Sequence, residues 1–305
     1  MKLTLGISVP DGGTALLELL LESAALPQSG GNDVAVHCTC HGEEQRQLLL
    51  DSSFALPIER VHVVPRETAK FMHHNSVTHS RCINALYAGK ADGIAVLCDF
   101  DGAFVLPDWD EVLVEQIERQ KLAFFGAPYS DLHVVEFSLP AGNIRTMKYQ
   151  GKPNCILIAY SPEVIRPLSS VLCTFEALYG DPRAIAIRFI ATPADSEIFG
   201  MPVGSFALLH TGTRVAEMIA QHRLRYGVLE RTDSCHRVLR IPDDFADCPN
   251  PLRPEEYSYG GQPFFVHFRK GTRKSGDSSA HHNYRPEDFA RDVRLWLRRT
   301  GGTGT

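Results

Sequence analysis

Apolar residues enter the chain as a short β-type run, Leu3–Val9, that stops at Pro10-Asp11-Gly12-Gly13. Leu16, Leu17, Leu19, Leu20 and Leu21 then recur at a helix-compatible spacing, so the first unit reads as strand, glycine loop and helix. Asp33–Thr39 reads as a second strand, Gly42–Leu50 as a helix and Arg60–Val64 as a third short strand. Val77–Ala88 brings Cys82, Ala85 and Leu86 to one helical face and leads through Asp92-Gly93 into Ile94-Ala95-Val96-Leu97-Cys98. That last run is apolar at every position, the pattern of a central parallel strand covered on both faces. Alternating strands and helices of this kind predict an α/β fold, a mostly parallel central sheet flanked by crossover helices.

Beyond it the pattern continues more loosely. Pro107-Asp108-Trp109-Asp110 opens a helix running to about Arg119, with acidic residues in its first turn. Leu122–Gly126, Cys155–Ala159, Ile185–Ile190, Phe206–Leu209 and Phe264–Phe268 read as further strands, and Thr213–Glu230 as one long amphipathic helix. Ile241–Gln262, rich in Pro, Asp and Gly, reads as a long loop. Residues 270–285 are polar, and Phe289, Val293, Trp296 and Leu297 form the apolar stripe of a terminal helix that docks on the body.

Composition narrows the class of protein without choosing within it. With 44% apolar and 22% charged residues, the 305-residue chain is that of an ordinary globular protein. A net charge of −5 argues against a broad cationic face for duplex nucleic acid or anionic lipid. The first apolar run is too short for a signal sequence, and later runs fall short of the ~18 residues of a membrane span. A cytoplasmic protein with no transmembrane segment is expected. The eight cysteines include no CxxC pair, and Cys38-Thr39-Cys40 reads as strand packing by reduced thiols. His73, His74 and His79, like His281 and His282, lack a fourth partner at zinc-site spacing and read as solvated.

The sharpest chemical signal is Asp99-Phe100-Asp101, at the carboxyl end of the apolar strand where open α/β sheets bind their ligands. In an extended segment residues i and i+2 point the same way, so two carboxylates can converge on one hard cation. Magnesium or manganese suits such oxygen ligands.

With its flanks, this segment resembles the GT-A glycosyltransferases, whose aspartate pair binds a metal that bridges the diphosphate of a nucleotide sugar. Leu97-Cys98-Asp99-Phe100-Asp101 followed by Leu106-Pro107-Asp108-Trp109-Asp110 is similar to that family's apolar strand, DxD, short linker and Pro-x-Trp-Asp helix opening. Ser80-Arg81-Cys82-Ile83-Asn84 resembles its Ala-Arg-Asn helix, although Cys82 and Ile83 here separate Arg81 from Asn84. The resemblance implies a GT-A-like domain over residues 1–269, with a nucleotide-sugar-binding half at 1–126 and an acceptor half at 127–269. A polar loop and amphipathic helix follow at 270–305. It further implies a UDP- or GDP-sugar donor contacted by Pro10, Asp11, Arg81, Asn84, Asp99, Phe100 and Asp101. His267-Phe268-Arg269-Lys270-Gly271-Thr272-Arg273-Lys274 resembles the family's late His-x-x-Gly-x-x-Lys segment with one residue more between His and Gly. By that resemblance His267 is the third ligand to Mn2+ or Mg2+, and Lys270, Arg273 or Lys274 meets the diphosphate. Asp195-Ser196-Glu197 is similar to the segment that supplies the catalytic base of inverting members, Asp195 first and Glu197 second. Retaining members need no such base, so the stereochemistry stays open. So does the acceptor, whether glycan, lipid, protein or nucleic acid.

Two alternatives accompany this expectation. Asp99-Phe100-Asp101-Gly102 also resembles the nucleophile loop of haloacid-dehalogenase-type phosphatases, but Ala103-Phe104 replaces the expected Thr-Leu or Thr-Val, and three strands precede the motif. A catalytically silent nucleotide-sugar-binding protein would carry the same fold without the chemistry.

Overall fold

A computed structural model describes residues 1–25, 31–66, 74–88, 93–129, 134–138, 144–148, 151–168, 188–190, 206–208, 213–232, 236–241, 254–269 and 284–300. The chain opens as the pattern predicts, with β1 (Lys2–Ser8), α1 (Thr14–Ala25), β2 (Asp33–Cys40), α2 (Glu43–Asp51), β3 (Ile58–Val63), α3 (His74–Ala88) and β4 (Ile94–Asp99). It continues with β5 (Gly102–Phe104), α4 (Trp109–Val114, prolonged by a π turn over Glu115–Arg119), β6 (Phe124–Pro128), β7 (Val134–Ser138), β8 (Ile144–Lys148), β9 (Pro153–Tyr160) and α5 (Pro162–Ile165). The remainder is β10 (Arg188–Ile190), β11 (Phe206–Leu208), α6 (Thr213–His222), β12 (Tyr226–Val228), β13 (Glu230–Thr232), β14 (Glu255–Tyr259), β15 (Gln262–His267) and α7 (Pro286–Thr300).

The architecture is α/β. Seven strands form a mixed sheet in the order β12-β6-β9-β4-β1-β2-β3, in which only β9 runs against its neighbours. Strand β4 shows why the central run is apolar throughout. Ile94, Val96 and Cys98 join the main core with α1, whereas Ala95 and Leu97 join a second core with Ile83 and Leu86 of α3 and Met218 and Ile219 of α6. Both faces are covered, so neither tolerates a polar side chain.

A second, antiparallel sheet in the order β13-β14-β15-β5 abuts the first. The chain leaves the large sheet for the small one twice, at β4–β5 and at β12–β13, and the first departure is the Asp99–Asp101 turn. Phe104 lies at the seam, stacked on Trp109 at 4.0 Å and edge-on to Phe265 at 5.2 Å. The Trp109 indole N–H donates to the Ala24 carbonyl, tying α4 to α1. Helix α7 docks where its apolar stripe predicts. Phe289 and Val293 are fully buried, the Trp296 N–H donates to the Val105 carbonyl, and Arg294 pairs with Glu22 of α1.

Two expectations fail in the second half. Thr213–Glu230 is not one helix, because α6 ends at His222 and Arg223 turns the backbone into the left-handed region at φ 52°. The residues that follow become β12, which pairs with β6, and β13. A Cβ at Gly227 would crowd Leu122 and Phe125, so the glycine that weakens a helix here admits close strand packing. Nor is Ile241–Gln262 a loop throughout, since Glu255–Tyr259 is strand β14. Its two glutamates suggest solvent, yet both are buried against partners. Glu256 accepts the backbone N–H groups of Arg237, Val238 and Leu239. Gly260 and Gly261, both at positive φ, then make the hairpin turn to β15.

Candidate metal and nucleotide site

Within β4, side chains alternate between the two cores, and Asp99, two residues after Leu97, falls on the α3 side. Phe100 and Asp101 do not continue the strand. They form a turn into β5, held because the Phe268 N–H donates to the Asp101 carbonyl at 2.9 Å. The carboxylates converge through this turn rather than along an extended segment. The turn needs Gly102, because the Phe265 ring of β15 occupies the space a Cβ there would take.

Pairing of β15 with β5 sets His267 opposite Gly102, one residue past Asp101. The imidazole Nε2 lies 3.1 Å from Asp101 Oδ1 and 3.4 Å from Asp99 Oδ2. One donor atom from each of the three residues lies within 4.8 Å of the others, which makes Asp99, Asp101 and His267 a candidate metal site. Donors about 2.1 Å from an ion stand about 3 Å apart when adjacent and about 4.2 Å apart when opposite, so small side-chain adjustments would seat a divalent cation. Two carboxylates and one imidazole fit manganese or magnesium by donor type. Asp101 and His267 are buried, while Asp99 keeps 22% of its side chain exposed and opens the site to solvent.

Without a cation, the surrounding carboxylates favour the protonated imidazole. Burial alone would push the His267 pKa down, but Asp101, with the hydrogen bonds to Asp99 and Glu255, outweighs burial and holds it well above the usual histidine range. Behind His267, Nδ1 faces the buried Glu255 carboxylate at 3.3 Å. Glu255 also accepts from the Tyr257 hydroxyl at 2.8 Å and pairs with Arg269 at 2.7 Å and Arg231 at 3.4 Å. Burial would raise its pKa, yet the His267 hydrogen bond and the arginine charges hold it below the usual carboxylate range.

Of the other site residues expected from sequence, four lie on the loop after β1 and on α3. Pro10 and Asp11 lie on the loop after β1, and Asp11 pairs with Arg66 beyond β3. Gln45 donates to the Val9 and Pro10 carbonyls, and Phe100 packs its ring against Gly13. Phe100 thereby couples this loop to the aspartate turn from a position that is itself buried. Arg81 and Asn84 lie half-buried on α3. Asp195, Glu197, Lys270, Arg273 and Lys274 lie outside the described residues.

Two contributors escaped the sequence reading. His79, expected to be solvated, stands with Nε2 3.5 Å from Asp99 Oδ1, so a histidine faces each oxygen of that carboxylate. The available signal was its place on the helix feeding the apolar strand. Glu255 carried no signal, because its segment reads as loop.

No family of known proteins matches the sequence, and neither does any individual curated protein. Among solved structures, the mannosyltransferase PcManGT from Pyrobaculum calidifontis, in complex with GDP-Man and Mn2+, aligns over 55% of this chain and 46% of its own. The identity is 13% and the TM-score 0.35. Residues 1–349 of TarS from S. aureus align over 55% and 49% respectively, at 9% identity and a TM-score of 0.33. Mouse xyloside xylosyltransferase 1, in its apo form, aligns over 75% of this chain and 86% of its own, at 10% identity and a TM-score of 0.44. The chain thus spans about half the length of the first two, and the likeness in each case is partial. Among the described residues, no helix is long and apolar enough to cross a membrane.

Proposed function

We propose that this protein is a glycosyltransferase that moves a sugar from a UDP- or GDP-sugar donor to an acceptor, with Mn2+ or Mg2+ held by Asp99, Asp101 and His267. The observation that carries the reading is the convergence of those three side chains at the carboxyl end of β4, beside the Pro10–Gly13 loop after β1. Ligands of open α/β sheets bind at such strand ends. Sugar transfer leaves a nucleoside diphosphate whose negative charge grows as the glycosidic bond breaks, and a bound divalent cation stabilises that charge. In this reading Pro10 and Asp11 face the nucleoside, Arg81 and Asn84 contact the donor from α3, and Lys270, Arg273 or Lys274 meets the diphosphate. Asp195, or Glu197 in its place, takes the acceptor proton if the reaction inverts the anomeric centre.

The test combines binding with turnover. Calorimetric titration of Mn2+ with UDP or GDP should give metal-dependent nucleotide binding that Asp101→Asn abolishes. A panel of donors should show release of UDP or GDP that EDTA stops. Phosphate release from simple phosphomonoesters in place of donor turnover would refute the reading in favour of a phosphatase. Tight donor binding with no turnover for any donor and acceptor would leave a silent binding protein.

A further inference from the structure

We propose that Glu255 is the positioning residue of the cation site, a buried carboxylate that takes the Nδ1–H of His267 and so aims the opposite nitrogen at Asp99 and Asp101. The inference rests on the cation-site reading above and assigns a role to a residue that reading leaves out.

The backbone builds the relay. Across the small sheet, Gly102, His267 and Glu255 are consecutive cross-strand partners on β5, β15 and β14. Directly opposed residues share a face, so the Glu255 side chain lies beside the imidazole without any loop having to deliver it. A neutral imidazole carries one N–H and one lone pair, and an ionised carboxylate can only accept. Without a cation both ring nitrogens face carboxylates and both carry protons; a cation at the aspartates would take the Nε2 lone pair, and the one remaining proton then belongs on Nδ1, 3.3 Å from Glu255 Oε2. Glu255 is itself immobilised. It is 2% exposed, and Tyr257, two residues along β14 on the same face, donates to the same Oε2. The guanidinium groups of Arg231 and Arg269 keep the carboxylate ionised in a place where an unpaired charge would not persist. A purely structural glutamate would be satisfied by those arginines and the tyrosine; the imidazole is the partner they do not require. Metal-bound histidines are commonly oriented by such a carboxylate, and its loss typically weakens metal binding about 10- to 100-fold.

The experiment measures Mn2+ affinity by calorimetry in four full-length proteins: wild type, Glu255→Gln, His267→Ala and the double variant, each with its melting temperature. Glu255→Gln should bind Mn2+ about 10- to 100-fold more weakly than wild type. In the His267→Ala background the same change should cost nothing further, because there is no imidazole left to orient. An unchanged affinity in Glu255→Gln, or an equal loss in both backgrounds, overturns the proposal while the cation site stands. Failure of the wild type to bind Mn2+ instead sinks the cation-site reading, and this proposal with it. Glu255→Gln takes a negative charge from beside two half-buried arginines, a change large enough to threaten folding. The wild type therefore also decides the matter alone: with Mg2+ bound, the side-chain 15N resonances of His267 should show Nδ1 protonated and Nε2 not, and the opposite tautomer overturns the proposal.

Discussion

Replacing Gly102 by alanine should damage stability and cation binding together, for one geometric reason. An ideal Cβ at residue 102 collides with Cζ of Phe265 and comes within 2.8 and 2.9 Å of its Cε atoms. That ring is fully buried and set edge-on against Phe104 at 5.2 Å, so it cannot swing clear as an exposed side chain would. Forcing a methyl group into such packing costs about 1–3 kcal/mol. With an unfolding entropy of about 2.1 cal/mol/K per residue, a chain of 305 residues loses about 2–5 °C in melting temperature. The strand that must yield is β15, and His267 is the residue paired with Gly102. Any shift of β15 therefore moves Nε2 relative to both aspartates, and displacements near 1 Å are enough for losses of about tenfold or more at a preorganised site. Differential scanning calorimetry and Mn2+ titration of Gly102→Ala check the two effects. A variant that melts with wild-type protein and binds Mn2+ equally well would refute the packing of Phe265 over the turn, and with it the account of how the turn is held.

Three further outcomes are expected. Two groups of the site are among those through which melting of the metal-free chain should depend on pH. His267, raised in the folded state, contributes stability in full below its unfolded value of 6.5, and that contribution is lost as pH rises through the higher folded value. Glu255, depressed in the folded state, contributes above 4.5 and loses its contribution as pH falls through the lower folded value. A melting temperature that climbs steadily from pH 6 to 9 without metal would contradict the His267 assignment, and the gain on adding Mn2+ should grow over that range as the cation displaces the proton. Glu256→Ala strands three backbone N–H groups, bonded to the carboxylate at 2.7–2.9 Å, and should lower unfolding free energy in urea by about 3 kcal/mol. A loss below about 1 kcal/mol would mean that water replaces the carboxylate. Finally, Cys38, Cys40, Cys82, Cys98 and Cys155 are buried, and burial pushes the Cys38 and Cys98 thiols up. Brief alkylation of native protein followed by peptide mass spectrometry should find these five unmodified. Rapid labelling of Cys98 would show that the core beneath the aspartate turn opens.

The first half of the fold was legible because its signals are local. Strands β1 to β4 and the helices between them follow from runs and periods that need no knowledge of what packs against them. The second half was not, because there the partner decides the conformation. Tyr226-Gly227-Val228 sits at the end of a helical period, yet β6 offers an open edge that takes it as a strand. Glu255 and Glu256 read as solvent-facing until other segments bring their partners, a histidine and two arginines beside the local Tyr257 for Glu255 and three backbone N–H groups for Glu256.

The site divides along the same line. The sequence alone determined that two carboxylates emerge where a strand buried on both faces runs out, since an unbroken apolar run ending in Asp99-Phe100-Asp101 has few other ways to fold. The resemblance named His267, 166 residues beyond Asp101, as their partner, but only the tertiary structure brought it onto them, set His79 against Asp99 from α3 and put Glu255 behind the imidazole. The physical reason is range. Hydrophobic periodicity is set within a turn or a few strand residues, whereas the polar contacts that make a site depend on the register between strands far apart in the chain, which no local stretch of sequence specifies.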